Sequence, residues 1–223
     1  MPVPVRIPIG PASLDGDLSV PPGARALVLF AHGSGSSRHS PRNQFVARLL
    51  ERRGLGTLLI DLLTPEEEAR DRYTAELRFD IELLADRLVT VIDWLGAQPG
   101  TASLAIGLFG ASTGGGAALA AAAARPAQVA AVVSRGGRPD LAGASLPHVK
   151  APTLLVVGGD DEPVIALNHA AMRRMRAHAA LEVVRGATHL FEEPGTLEQV
   201  AAHAADWFVK YCTAAVHQET MKQ

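Results

Sequence analysis

Residues Leu108 to Ala117 read "LFGASTGGGA". Ser112 has a glycine two residues before it, a glycine two residues after it, and two more glycines beyond. Ahead of it lies an apolar run, "SLAIGLFG" over 103–110, which reads as a strand. Behind it, "GGGAALAAAAA" over 114–124 reads as a helix stopped near Arg125-Pro126. A G-x-S-x-G spacing between strand and helix describes a sharp turn that lifts the serine hydroxyl above a sheet. The glycines are then explained by space, because so tight a turn has no room for side chains. The helix N-terminus beneath the serine also favours negative charge developing there. The competing reading is a glycine-rich turn with an idle serine.

The rest of the chain repeats the strand–helix alternation. "VRIPIG" (5–10) and "LDGDLSV" (14–20) read as two opening strands joined by a turn. "ALVLFA" (26–31), "TLLID" (57–61), "VAAVVS" (129–134), "TLLVVGG" (153–159) and "LEVV" (181–184) bring the strand total to eight. Ser40-Pro41 reads as the cap and first turn of a helix ended by Gly54. Thr64 and Glu67 have capping-box spacing. Leu77, Ile81, Leu84, Leu88, Val91 and Leu95 predict one apolar stripe on a long helix. Helices are also predicted over 163–179 and 196–212. The expected fold is α/β, a mostly parallel eight-stranded sheet flanked by helices. One domain is expected over 1–212, with a polar tail over 213–223 that frays. Only 18 residues, Arg135 to Pro152, separate two neighbouring strands, so no large cap domain is expected.

Composition sets the class of partner. The chain has 223 residues, 48% hydrophobic and 20% charged, with a net charge of −2. No basic surplus points to nucleic acid. No apolar stretch is long enough to span a bilayer, and the N-terminus does not read as a signal peptide. The one cysteine, Cys212, allows no intrachain disulfide and reads as a packing residue. The expected localisation is cytoplasmic. The expected partner is a small acyl substrate, with no nucleic acid and no membrane, and a homodimer is an assembly open to the chain.

A serine hydroxyl needs a base, and the base needs an acid to orient it. Eight histidines are present. His189, in "RGATHLF", is the one that follows a late strand and comes after both the serine and the acids. Asp160, Asp161 and Glu162 lie just past the 153–159 strand, where helix capping before Pro163 competes with orienting a histidine. Asp140 is a fallback acid. An oxyanion would be held by backbone N–H groups. The Thr113 amide follows the serine, and the Ser34 amide lies in "AHGSGSSRHS", the loop after the 26–31 strand. Arg38, Arg42, Arg135 and Arg138 stand in or beside loops where open α/β sheets bind ligands. Arg38, Arg135 and Arg138 are therefore candidates to hold an anionic substrate, against the alternative of bracing loops through Asp140 or the glutamates of 66–68.

"FAHGSGSSRHSPRN", "GLFGASTGGGAAL", "SRGGRPDL", "PTLLVVGGDDEPV" and "GATHLFEEPG" together resemble the dienelactone hydrolase-related α/β-hydrolases. They are most similar to the serine-type members also found joined to phosphoribosyltransferase-like domains. The resemblance runs from about Val5 to Trp207. It implies an eight-stranded core that uses neither a metal nor an organic cofactor. It also implies Ser112 as nucleophile, His189 as base and, through the match of Gly158 to Asp161 with a G-x-x-D pattern, Asp161 as acid. Dienelactone hydrolases themselves carry a cysteine where this chain has Ser112, so the resemblance does not name dienelactone as substrate. The function expected is hydrolysis of an ester or related acyl bond. Thioester or lactone hydrolysis, and a non-catalytic binding module of the same fold, are the alternatives.

Overall fold

In the computed structural model, residues 2–220 are described, with side chains to Thr213. Eight strands form one sheet in the order β1-β2-β4-β3-β5-β6-β7-β8. The strands are β1 (Val3–Ile9), β2 (Ala12–Ser19), β3 (Ala26–Ala31), β4 (Gly56–Ile60), β5 (Ala105–Ala111), β6 (Val129–Arg135), β7 (Thr153–Gly158) and β8 (Ala179–Val184). β1 and β2 pair antiparallel, β2 joins β4 antiparallel, and every pairing from β4 to β8 is parallel. This is the predicted α/β architecture.

The period-two alternation of the strands sorts the core into two halves. Leu27, Leu29, Ile106, Leu108 and Val132 face α3 (Ile81–Ala97) and α4 (Thr113–Ala124). Ala26, Val28, Phe30, Phe109 and Val133 face α1 (Pro41–Arg52) and α6 (Thr196–Thr220). The central strands are buried on both faces, which is why their sequences are apolar without interruption. Cys212 is fully buried on α6 among these side chains, and burial pushes its thiol up to about 12. Among the described residues no helix is long and apolar enough to cross a membrane.

Most boundaries fall where the caps predict. Ser40 Oγ accepts from the Asn43 N–H at the start of α1. At the start of α2 (Pro65–Thr74), Thr64 N–H donates to Glu67 Oε2 at 2.8 Å and Glu67 N–H to Thr64 Oγ1 at 3.2 Å. The stripe predicted from Leu77 is different. α2 ends at Ala75 in the left-handed region (φ 54°), and Leu77–Phe79 form a short 3₁₀ turn. The buried carboxylate of Asp71 takes the Leu77 N–H at 2.6 Å and the Arg78 Nε–H at 2.6 Å, which breaks the helix. α3 then starts afresh at Ile81, with Asp80 Oδ1 accepting from Leu83 N–H at 3.0 Å. Leu77 thus lies outside the stripe, which buries Leu84, Leu88, Val91 and Leu95.

Two further boundaries move. α5 is Glu162–Met172, shorter than the 163–179 predicted, because the chain must turn back to enter β8. His178 stacks on Trp207 at 5.5 Å and its carbonyl accepts from Thr153 N–H at 2.9 Å, which fixes that entry. α6 runs on to Thr220, past the point where the tail was expected to begin, and 221–223 lie outside the described residues. Replacing Asp80 with alanine tests the helix break directly. The lost cap should cost about 1 kcal/mol in denaturant unfolding, whereas a continuous helix through position 80 would gain from alanine.

Candidate active site

The C-terminal ends of β3, β5, β6 and β7 and the loop after β8 meet at one edge of the sheet. Ser112 stands between β5 and α4 with φ 50° and ψ −121°, a backbone state that costs a non-glycine residue about 1–3 kcal/mol. The surrounding packing enforces it. A Cβ on Gly110 would lie 2.5 Å from Gly114 O and Gly115 Cα, and a Cβ on Gly114 would lie 2.5 Å from His32 O. The glycines flanking the serine are therefore places where backbone meets backbone. Ser112 N–H donates to Arg135 O at 3.2 Å, and Ser112 O accepts from Arg138 N–H at 3.0 Å. The residue is pinned from both sides while its hydroxyl points outward.

His189 Nε2 lies 3.3 Å from Ser112 Oγ, and His189 Nδ1 lies 2.7 Å from Asp161 Oδ2. With Asp161 ionised, Nδ1 carries the proton and Nε2 is left to accept one from the serine. Asp161 occupies the N-cap position of α5, yet its side chain makes no capping bond and is turned to the histidine. Asp160 is exposed at the turn, with its N–H donating to Ala187 O. Asp140 is held by Arg138, at 2.9 and 2.8 Å. Of the acids considered, Asp161 is the one joined to His189.

The loop after β3 reaches the serine through Gly33, where a Cβ would lie 3.2 Å from Ser112 Cβ. Ser34 follows directly. Among the described residues, the Ser34 and Thr113 amides have no intramolecular acceptor, so both are free to donate to a ligand. His32 holds this loop in shape. Leu62 N–H donates to His32 Nε2 at 3.1 Å, so Nδ1 carries the proton and donates to Gly33 O at 2.9 Å. Both bonds need a neutral ring, and burial lowers the His32 pKa below its usual 6.5. Arg38 closes the same loop onto Asp61, its N–H donating to Oδ1 at 2.7 Å and its guanidinium to Oδ2, with Asp17 at 3.5 Å.

The three arginine candidates separate. Arg38 is engaged by Asp61 and Asp17, and Arg138 by Asp140, so both brace loops. Arg135 has no carboxylate partner within 4 Å among the described residues; its Nη2 donates to Asn43 Oδ1 at 3.5 Å, and Nε and Nη1 have no hydrogen-bond partner there. Two supporting residues escaped sequence reasoning. Glu193 accepts from Thr188 N–H at 3.1 Å and Thr188 Oγ1–H at 2.7 Å, tying down the loop that carries His189. The Thr188 hydroxyl is the main reason its carboxyl pKa is lowered. Phe191, buried at φ 56°, anchors that loop in the core. The only sequence signal for either was their nearness to His189.

An eight-stranded sheet with a serine on its strand–helix turn, facing a histidine and an aspartate from later loops, is the α/β-hydrolase fold. Residues 43–215 match the model of the dienelactone hydrolase family, and the chain belongs to that family, which makes it a hydrolase. It is 60% identical over 207 residues to curated relatives from two strains of Mycobacterium tuberculosis, each named putative phosphoribosyl transferase. Those residues are 93% of this chain and 46% of the relative, so the chain spans about half the length of the curated relatives it matches. A solved dienelactone hydrolase from Anabaena variabilis is 58% identical and superposes with a TM-score of 0.94, covering 95% of this chain and 98% of that one. A Xanthomonas campestris α/β serine hydrolase without lid shares the fold at 20% identity, with a TM-score of 0.71 and 94% of each chain covered.

Two measurements check this geometry. Asp161→Asn should reduce turnover by about 10,000-fold, because the amide favours the wrong imidazole tautomer, while Asp160→Asn stays near wild type. The reverse ranking would refute the pairing. His32 should show in stability against pH. The unfolded chain takes up this proton near pH 6.5 and the folded protein only below it. Its contribution is therefore intact above pH 6.5 and lost as pH falls below that value. Melting temperatures from pH 8 to 5 should fall less steeply on the acid side for His32→Gln, and parallel curves would refute the assignment.

Proposed function

We propose that the chain is a serine hydrolase that cleaves a carboxylic ester, or a related acyl bond, of a small substrate. The observation that carries the reading is the unbroken relay from Ser112 Oγ to His189 Nε2 and from His189 Nδ1 to Asp161. Ser112 Oγ attacks the carbonyl carbon as His189 takes the serine proton. Asp161 holds the imidazolium that forms, and the Ser34 and Thr113 amides receive the charge on the carbonyl oxygen. The tetrahedral intermediate collapses when His189 delivers its proton to the leaving group, which leaves an acyl-Ser112. Water, deprotonated by the same imidazole, then attacks the acyl carbon and restores the serine. A lactone is an internal ester that the same groups would open, and the Anabaena relative bears the name dienelactone hydrolase.

The substrate is expected to be short. The segment between β6 and β7 folds into a 3₁₀ stretch, Pro139–His148, that packs on α4 and α5 and leaves the serine uncapped. With no cap domain to add an apolar wall above the serine, each CH₂ left in water forgoes about 0.8 kcal/mol of binding.

Ser112→Ala should lower kcat on a panel of esters, thioesters and lactones by about 10,000-fold or more, with unfolding unchanged. Activity near wild type in that variant would sink the mechanism. Across 4-nitrophenyl esters from acetate to laurate, kcat/KM should peak at the short end. A steady rise toward laurate, or a jump above the micelle concentration, would show a larger apolar cleft.

A further inference from the structure

Among the described residues the sheet ends in β1 on one side and β8 on the other, and the two edges are built differently. β1 carries Pro4 and Pro8, which have no N–H to offer, with Arg6 between them at 79% side-chain exposure. Prolines and charges of this kind keep an edge strand from pairing with another chain. β8, "AALEVV", has no proline and a single charge, Glu182. All of it but Val184 is partly or fully exposed, Val183 to 47%.

The backbone of β8 sets what can pair with it. In a parallel ladder alternate residues turn both polar groups to the same neighbour. The carbonyls of His178 and Val184 accept from Thr153 and Gly159 N–H at 2.9 and 2.8 Å, so the even-numbered residues face β7. The N–H and C=O of Ala179, Leu181 and Val183 therefore point away from the sheet, and no strand or loop among the described residues takes them. That row is self-complementary. Against a second β8 running antiparallel, Leu181 meets the Leu181 of the other copy and Ala179 meets Val183, each pair exchanging two hydrogen bonds. This is the longest register that the alternation permits. Glu182 then lies opposite Ala180, so like charges do not face each other across the join.

The helix layer fits the same arrangement. α5 lies over both β7 and β8. Two copies joined at β8 would hold their α5 helices two strand spacings apart, about 10 Å, which is the distance at which helices pack. Val164, Asn168 and Ala171 face the core, and Arg174, just past the helix, donates to Gly143 O of the 3₁₀ stretch at 2.9 Å. The opposite flank, toward the β8 edge, carries Ile165 and Met172, both half-buried.

We infer that β8 is the interface between two copies of this chain, joined about a two-fold axis at Leu181 into one continuous sheet, with the two α5 helices packed side by side over the join. Each copy keeps its own Ser112, Asp161 and His189, and the strand ends that carry them point opposite ways in the two copies. The pairing is independent of the hydrolase reading above.

Sedimentation velocity over a range of concentrations tests it. Wild type should pass from one chain to two as concentration rises. Val183→Lys adds a charge of the kind that guards β1, and should weaken the dimer about tenfold or more in Kd, the scale of one buried valine lost. Leu181→Pro removes an outward N–H while leaving the β7 ladder whole, and should do the same. Val3→Lys, on the guarded edge at 60% exposure, should leave the dimer intact. A short thiol cross-linker reads the register. Leu181→Cys should join two copies, because the paired Cβ atoms would lie about 5 Å apart. Val183→Cys should not, because that residue and its counterpart would stand about 13 Å apart along the strands. Cys212 is fully buried and gives no background. A wild type that stays a single chain throughout, or a dimer that both β8 substitutions leave untouched, would overturn the inference. Cross-linking at 183 and not at 181 would overturn the register. Should Leu181→Pro fail to fold, Val183→Lys and the cross-linking pair still decide it.

Discussion

The start of α4 is packed so closely against the end of β3 that one methyl group at Gly114 would collide with the backbone at Ala31 and His32. That contact has no side chain to give way. It fixes where α4 begins, and hence where Ser112 must turn. The strain at Ser112 is held by the sheet itself, through the bond from its N–H to Arg135 O and the bond from Arg138 N–H to its carbonyl. The same contact brings the β3 loop against the elbow, so that Gly33 abuts Ser112 and the Ser34 amide follows it. One close approach of backbones thus positions the hydroxyl and both free amides.

Around that point the loops are held by ionic and polar braces of unequal burial. His32 and Arg38 tie the β3 loop to the end of β4. Arg138 and Asp140 hold the chain after β6. Glu193 and Phe191 hold the loop after β8 from two sides, one by hydrogen bonds to Thr188 and the other by burial. His189 and Ser112 remain open to a ligand beside the free Ser34 and Thr113 amides, with Asp161 largely buried behind the imidazole at 13% exposure. Loops carrying function on a rigid sheet are the usual arrangement of open α/β folds.

Arginine shows how residue type underdetermines role. Arg38, Arg135 and Arg138 all read in sequence as loop cations near strand ends, with Asp140 offered as a bracing partner. In the fold, two meet aspartates and become braces, and the third is enclosed with no acid beside it among the described residues. Arg138 finds its acid two residues along the chain, a pairing the sequence offered, whereas Arg38 is paired by Asp61 and Asp17 across the sheet, which no local pattern encodes.

The sequence by itself determined the class of fold, the strand that leads into the elbow and the serine on it. Those features are local, since apolar runs, caps and glycine spacing act within a turn or a strand. It also put His189 and an acid at the ends of later strands, and left Asp160 and Asp161 to be told apart by resemblance. Tertiary structure decided what depends on contacts across the chain. Asp71 takes backbone and arginine hydrogens six and seven residues away and breaks the helix that periodicity runs together. The stacking of His178 on Trp207, 29 positions on, ends α5 early. Asp161 turns from the helix it would cap because a histidine 28 residues later stands 2.7 Å away. At Asp71 and Asp161 a partner beyond the local turn outweighed a local preference by offering a buried or charged hydrogen bond, and at His178 it did so through ring stacking.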